Sequence, residues 1–273
     1  MIAGRNLFVS YAEGRRKHPA LVDFSFSVRD GEFVCVMGPN GSGKSTLARL
    51  MKGLMKPQAG TLTLDGEDAT GARGNALLRR TVGLVFENPT LQIVAPVVEE
   101  DLLFGLENLG VDAADARRRI DEVADRLSIA HLLDRAIEDL SSGEAQRVAL
   151  AGVLVMKPRF LVSDESTAWL DPPSRMRVIE LFRELSRDGV GVVHITHDPR
   201  EAVAADRVMV LDGGTLVREG TPRDVFASSY SLVKRRVRVP LAALVTERAR
   251  ELGARVDHPA LTAADIETHL RKA

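Results

Sequence analysis

Several things are scarce in this chain, and each scarcity removes a class of reading. There is one cysteine, Cys35, in 273 residues, so no internal disulfide can form. Its place inside an apolar run makes it a small core residue. Aromatic residues are only 4% of the chain, and no stacking platform for RNA bases is evident. Lys and Arg (37) balance Asp and Glu (38) to a net charge of −1, which leaves no global electrostatic footprint for nucleic acid. No apolar run reaches 18 residues, so nothing here spans a membrane by itself. Residues 1–6 lack a signal peptide's apolar core, and there are no repeats. The expectation is a soluble, cytoplasmic chain. Two local basic clusters, Arg15-Arg16-Lys17 and Lys234-Arg235-Arg236 with Arg238, read first as solvated faces. The alternative is contact with a partner or lipid headgroups.

What the chain does have is a loop, Gly38-Pro39-Asn40-Gly41-Ser42-Gly43-Lys44-Ser45-Thr46. It fits G-x-x-x-x-G-K-[ST], a P-loop, and its setting is right. Phe33 to Met37 before it reads as a short buried strand, and Leu47, Leu50, Met51 and Leu54 after it fall at helical spacing. Glycines let successive backbone N–H groups turn inward around a phosphate. A helix starting at about Gly43 aims its N-terminal partial charge at the same anion. Asn40 to Thr46 are thus candidate residues for binding a nucleoside triphosphate, with Lys44 reaching the β- and γ-phosphates and Ser45 placed on Mg²⁺.

At this length the chain holds one large α/β domain with an appendage, or two small ones. Leu7 to Tyr11 and Leu21 to Val28 alternate like half-buried antiparallel strands, with a loop expected over Glu13 to Pro19. Further strands are predicted at Thr61 to Leu64, Val82 to Phe86, Phe160 to Asp164, Val190 to Thr196 and Arg207 to Leu211, the last followed by the turn Asp212-Gly213-Gly214. From about Val97 to Met156 the pattern is helical. Val98, Leu102 and Leu106 share one face, and Ala116, Ile120, Val123 and Leu127 another. Pro172 opens a helix that Gly189 ends. Near the C-terminus Leu241, Leu244, Val245 and Leu252 fall on one helix face, and Thr262 to Asp265 reads as a capping box.

A phosphate cradle alone hydrolyses nothing; Mg²⁺ needs a carboxylate, and water needs orienting or deprotonating. Leu161-Val162-Ser163-Asp164-Glu165 offers both acids at the C-terminal end of a strand, where α/β ligands sit. Asp164 is the candidate metal carboxylate and Glu165 the group acting on the attacking water. A lone pair of acids at a strand end is common at surfaces; these two gain their meaning by following a P-loop.

At these residues the sequence resembles the ATP-binding-cassette ATPases. Leu140-Ser141-Ser142-Gly143-Glu144-Ala145-Gln146-Arg147 is similar to that family's signature loop, which the resemblance assigns to the ATP of an opposite subunit. Ala168-Trp169-Leu170-Asp171 resembles the D-loop that crosses the subunit interface. His197, in Ile195-Thr196-His197-Asp198, resembles the switch histidine at the γ-phosphate. Tyr11 lies where the family stacks an aromatic on adenine, with an ordinary strand tyrosine as the plain alternative. Val85-Phe86-Glu87-Asn88-Pro89-Thr90-Leu91-Gln92, Val98 to Asn108, Gly220-Thr221-Pro222 and the tail from Val239 narrow the resemblance to energy-coupling factor ATPases.

That resemblance implies an α/β P-loop NTPase fold with an antiparallel β subdomain. A helical subdomain at about 88–155 would be inserted in a cassette spanning 1–228, followed by a helical dimerisation extension, 229–273. It also implies ATP and Mg²⁺ as cofactors and a second cassette, identical or different, as partner. A transmembrane coupling subunit and a substrate-capturing membrane subunit would complete the assembly on the inner face of the membrane, powering uptake of a vitamin or transition metal. No nucleic acid is implied.

Three positions depart from the family pattern. Glu87 stands where the family has a glutamine; a carboxylate still ligates Mg²⁺ but cannot donate an N–H. Ser142 replaces a glycine of the signature, and Glu144 replaces its glutamine with a charge. The expectation is an intact site at the P-loop and Asp164-Glu165 beside a weakened signature. Alternatives are a regulatory, weakly hydrolysing cassette and a soluble cassette protein acting outside transport.

Overall fold

The computed structural model describes residues 1–13, 16–254, 256 and 258–270; Arg15 of the first basic cluster lies outside them. The chain opens with two long strands, β1 (Ile2–Glu13) and β2 (Arg16–Val28), paired antiparallel from Ile2↔Val28 to Glu13↔Arg16. The loop expected over Glu13 to Pro19 is therefore corrected: the ladder continues almost to the hairpin tip. Pairing of backbone groups overrides the polar side chains that suggested a loop. Then come β3 (Phe33–Met37), α1 (Lys44–Met51), β4 (Ala59–Leu64), β5 (Glu67–Asp68), α2 (Ala72–Thr81) and β6 (Val82–Val85). Helix α2 had no sequence signal because its face is mostly polar and only Leu78 is buried.

The middle of the chain is helical as expected: α3 (Val98–Asn108), α4 (Ala113–Arg126) and α5 (Ser142–Leu154). All seven residues assigned to the two apolar faces of α3 and α4 are buried. The rest alternates, with β7 (Phe160–Asp164), α6 (Pro172–Arg187), β8 (Gly191–Ile195), α7 (Pro199–Ala202), β9 (Arg207–Asp212) and β10 (Thr215–Gly220). Helices α8 (Pro222–Phe226), α9 (Ser229–Lys234), α10 (Leu241–Glu251) and α11 (Ala263–Leu270) end it. The capping box before α11 forms, Thr262 Oγ1 accepting from Asp265 N at 3.2 Å and the Asp265 carboxylate accepting from Thr262 N at 3.1 Å.

Two sheets organise these elements: an antiparallel one, β2-β1-β4-β5, and a six-stranded one, β10-β9-β3-β8-β7-β6. In the second only the β9–β10 hairpin is antiparallel. Its central strands are apolar on both faces, as covered parallel strands must be. Phe33, Cys35, Leu161 and Val192 face the helices of one core cluster, while Val34, Val36, Val162 and Val193 face α1 and the antiparallel sheet. Cys35 is fully buried, as expected of a core residue. Among the described residues no helix is long and apolar enough to cross a membrane.

The apolar face expected on α10 is apolar but not inward. Ala242, Ala243 and Thr246 are buried, whereas Leu241, Val245 and Leu252 are exposed.

Candidate active site at the carboxyl edge of the parallel sheet

Strand order explains how residues far apart in sequence meet. β3, β8, β7 and β6 are consecutive neighbours, all parallel. The segments leaving their carboxyl ends carry, in that order, the P-loop, His197, Asp164-Glu165 and Glu87. This edge is where open α/β sheets collect ligands.

The P-loop is clamped between both sheets. A Cβ on Gly38 would lie 2.2 Å from Leu211 O at the end of β9, and one on Gly43 would lie 2.3 Å from Ala20 O on β2. Both glycines also take positive φ, 155° and 102°; no other residue fits there. Lys44 is buried, and its Nζ donates to Gly38 O (2.9 Å) and Pro39 O (3.1 Å), 4.0 Å from the Glu165 carboxylate. Burial pulls the Lys44 pKa down, opposed by the charges of Glu165, Asp164 and Glu87.

Asp164 is buried at the end of β7 and accepts a hydrogen bond from the Ser45 side chain. Its pKa is raised, first by burial and then by the neighbouring Glu165 and Glu87 charges, against the Ser45 hydrogen bond and Lys44. Glu165 takes φ 51°, its N–H bonds to Ile195 O at 3.0 Å, and its carboxylate lies 3.2 Å from His197 Nδ1. Glu165 and His197 share a cavity of about 430 Å³ with Pro39 and Asn40 of the P-loop.

These groups suit Mg²⁺ brought in with phosphates. Among the described residues no three His, Cys, Asp or Glu side chains converge tightly enough to cage a metal alone. Mg²⁺ characteristically takes one or two protein oxygens plus phosphate and water. The crowded acids around Asp164 supply a place where a cation relieves repulsion.

Other candidates sit elsewhere. The Tyr11 hydroxyl bonds to Thr46 Oγ1 at 3.1 Å, and its half-exposed ring lies outside the Glu165–His197 cavity. Ser141 is the N-cap of α5 and forms a capping box with Glu144. Ser141 N and Oγ both donate to Glu144 Oε2, at 2.8 and 2.7 Å, and the Ser141 side chain holds the Glu144 pKa low. Ser142 occupies the first helical position, exposed. A Cβ on Gly143 would lie 3.5 Å from Trp169 O, so the signature-like loop leans on the D-loop-like turn of the same chain. Asp171 is the N-cap of α6, accepting from Ser174 N at 3.3 Å. Glu87 is exposed at the end of its strand, within electrostatic reach of Lys44 and Asp164.

Behind the site lies a polar chain that motif reading passed over. Ser166 and Ser163 hydroxyls are 2.5 Å apart, Ser163 Oγ is 3.0 Å from His194 Nδ1, and His194 Nε2 donates to Glu201 at 2.8 Å. All four are buried. Burial pushes the Glu201 pKa up, but hydrogen bonds from His194, Thr196 and Thr167 outweigh it and the net shift is down. Arg175 adds contacts to Glu201 (3.5 Å) and Asp198 (3.1 Å). The signal was available: a histidine inside an otherwise apolar strand needs a buried partner.

Fold and edge geometry together define a P-loop ATPase of the cassette kind. Residues 21–168 match the ABC transporter domain family. The energy-coupling factor transporter ATP-binding protein EcfA1 of Symbiobacterium thermophilum is 43% identical over 266 residues, covering 94% of this chain and 93% of its own. The corresponding EcfA of Syntrophomonas wolfei is 43% identical over 234 residues, 85% of each chain. Among solved structures, cbiO1 of Clostridium perfringens, described as part of the ABC transporter complex cbiONQ, superposes with TM-score 0.75. It is 32% identical and covers 90% of this chain and 98% of its own. A dimeric post-hydrolysis cassette, MJ0796 bound to ADP and Pi, gives TM-score 0.74 at 28% identity, covering 82% of this chain and 99% of its own. The chain belongs to the ABC transporter ATPases and, within them, to the energy-coupling factor ATP-binding proteins. It is an ATP-binding enzyme.

Proposed function

We propose that this chain is the ATP-hydrolysing subunit of an energy-coupling factor importer, driving uptake of a vitamin or transition-metal ion through membrane partners. The observation that carries the reading is the convergence of Lys44, Asp164, Glu165 and His197 at the carboxyl ends of neighbouring strands. Lys44 binds the β- and γ-phosphates, while Asn40 to Ser42 and the backbone of Gly43 to Thr46 wrap them. Ser45 and Asp164 would hold Mg²⁺, with Glu87 as a further candidate ligand, and the ion would supply charge neutralisation during phosphoryl transfer. Glu165 orients and deprotonates the attacking water, and His197 contacts the γ-phosphate. Tyr11 supports the adenine.

Ser141 to Glu144 serve the nucleotide of a second cassette, and Asp171 caps the turn crossing to it. Residues 229–273 form the extension that holds the pair, its exposed Leu241, Val245 and Leu252 supplying an apolar contact. The chain sits at the inner face of the membrane. A groove lined by Leu84, Gln92, Val94, Phe104, Gly105 and Met156 receives a helix of the coupling subunit. Its rim exposes Val94 and Phe104, at 64% and 52%, a patch that favours a protein partner.

Glu165→Gln in the assembled transporter tests this. ATP binding should persist while turnover and uptake stop; unchanged turnover would reject the assignment. A second reading, an asymmetric pair in which this signature loop is the weaker, is favoured by the Glu144 carboxylate that occupies Ser141.

A further inference from the structure

The cavity holding Glu165 and His197 has a wall that the cassette motifs do not account for. Beside Pro39 and Asn40 it is lined by Arg236 and Arg238, from the segment joining α9 to α10. That segment is firmly held. Val237 N bonds to Leu232 O at 3.0 Å and Arg236 N to Val233 O at 2.8 Å, the double closure of a Schellman cap. Val237 and Leu232 are both buried in the main core. Arg235 pairs with Asp212 at 2.7 Å, at the end of the strand whose Leu211 carbonyl lies against Gly38 of the P-loop.

Two features of the arginines point to a ligand. Arg236 occupies the left-handed position of the cap, φ 61°. Glycine takes that conformation without strain and is the usual residue there. Strain of this kind collects where a side chain has work to do. Among the described residues, neither Arg236 nor Arg238 has a carboxylate partner in an ion pair, while Arg235 between α9 and Arg236 does. The cavity they face has one lining carboxylate, Glu165, against two guanidinium groups and His197. Such a balance suits an added anion, and guanidinium forks match phosphoryl oxygens.

We propose that Arg236 and Arg238 bind the terminal phosphate of the nucleoside triphosphate, making the C-terminal extension a sensor of triphosphate against diphosphate. This rests on the reading of the P-loop cavity as an ATP site. A diphosphate lacks that phosphate and would leave the arginines without a ligand. Because the same segment leads into α10, nucleotide state is passed directly to the exposed apolar face beyond it.

The test measures Mg²⁺-dependent binding of a non-hydrolysable ATP analogue and of ADP to the full chain, dilute enough to be monomeric. The variants are Arg236→Gly, which suits the backbone, Arg238→Ala, their combination, and Arg238→Lys. The combination should weaken the ATP analogue about tenfold while ADP changes less than twofold, and Arg238→Lys, which keeps the charge without the fork, should restore only part of what Arg238→Ala loses. Equal losses for both nucleotides, or no loss, overturn the proposal. So does unchanged nucleotide binding with weaker dimerisation in sedimentation velocity, which would assign the arginines to acidic groups of the partner. Lys44→Ala checks the underlying reading separately: if it binds both nucleotides normally, the ATP site itself is misassigned and the proposal fails with it.

Discussion

Glu165 and His197 stand 3.2 Å apart, carboxylate to Nδ1, on the segments that leave adjacent parallel strands β7 and β8. The bond from Glu165 N to Ile195 O locks the two segments together, and on the proposed function the pair should act as one unit. Glu165→Gln and His197→Ala should each lower ATP turnover by about 10²-fold or more, the scale of a lost acid–base group for the first and of a lost donor to developing charge for the second. The double variant should be little worse than Glu165→Gln alone, since members of one unit are non-additive. Steady-state turnover of all three variants checks this. Losses that multiply would mean the two residues act independently.

Asp164 is buried within reach of the Glu165 and Glu87 charges. Its folded pKa lies above its unfolded one, because of burial first and the Glu165 and Glu87 charges next. For an acid shifted upward, the folded state binds the proton more tightly. Stability therefore rises as pH falls through the folded value and is diminished at neutral pH. Asp164→Asn should thus raise the melting midpoint of the nucleotide-free chain at pH 7, and the gain should shrink as the pH is lowered. It should also abolish turnover. Glu87→Gln removes one of the crowding charges and should keep or increase turnover. A lower midpoint for Asp164→Asn, or a tenfold loss for Glu87→Gln, would show that these acids do something else.

Much of this was legible beforehand for a physical reason. The P-loop, Asp164-Glu165 and His197 sit at strand ends, and buried parallel strands announce themselves as short apolar runs such as Phe33 to Met37. The apolar faces of α3 and α4 were equally plain, because all their contacts lie on one side. What stayed hidden depends on pairing across long separations. The hairpin ladder through Arg16 is made by backbone groups that polar side chains conceal. Helix α2 buries one leucine and so has almost no periodic signal. The outward turn of Leu241 and Leu252 cannot be read from spacing, which shows that a face exists but not what it faces. Arg236 and Arg238 carry no motif, and only the fold brings them to the P-loop.

Glu144 bears on the proposed role of the signature-like loop. As N3 of α5 it accepts from both Ser141 N and Ser141 Oγ, so it stabilises the helix start and draws the serine hydroxyl toward a carboxylate. Glu144→Gln keeps a capping box without the charge, and should raise ATP-driven turnover of the assembled pair about threefold to tenfold, in line with removing one repulsion of roughly 1 kcal/mol at a phosphate. Glu144→Ala should cost about 0.5–1 kcal/mol of stability through the lost half of the capping box, Ser141 remaining as N-cap. Turnover in the pair and urea unfolding of the single chain separate the two effects. If Glu144→Gln lowers turnover, the carboxylate belongs to the working signature.

His194 and Glu201 tie the β8 strand to the residues flanking the site. With His194 gone, Glu201 keeps Thr196, Thr167 and Arg175 but loses its charge-assisted donor. His194→Val should therefore destabilise the chain by about 2 kcal/mol, within the range for hydrogen bonds to buried charges. The same substitution in a Glu201→Gln background should cost clearly less, because a neutral amide left unpartnered is cheaper to bury than a carboxylate. Urea denaturation of the four proteins measures the coupling directly. Equal costs in both backgrounds would reduce His194 to a volume filler beside Phe182, whose ring centroid is 5.3 Å away.

Helix α10 presents its larger apolar side chains outward, Leu241 and Leu252 being 75% and 73% exposed. The inward positions Ala242, Ala243 and Thr246 already satisfy the packing against the chain itself. Substituting the two leucines with Asp should therefore leave monomer stability within about 0.5 kcal/mol, as for surface positions with no packing role. Covering a leucine contributes roughly 1.5–3 kcal/mol, so the pair matters greatly if this face meets a second cassette. The double substitution should weaken pairing about a hundredfold, visible by sedimentation velocity, while nucleotide binding by the separated chain is unchanged. Pairing of undiminished strength would place the contact between cassettes entirely on the signature and D-loop segments, leaving α10 free to serve another surface.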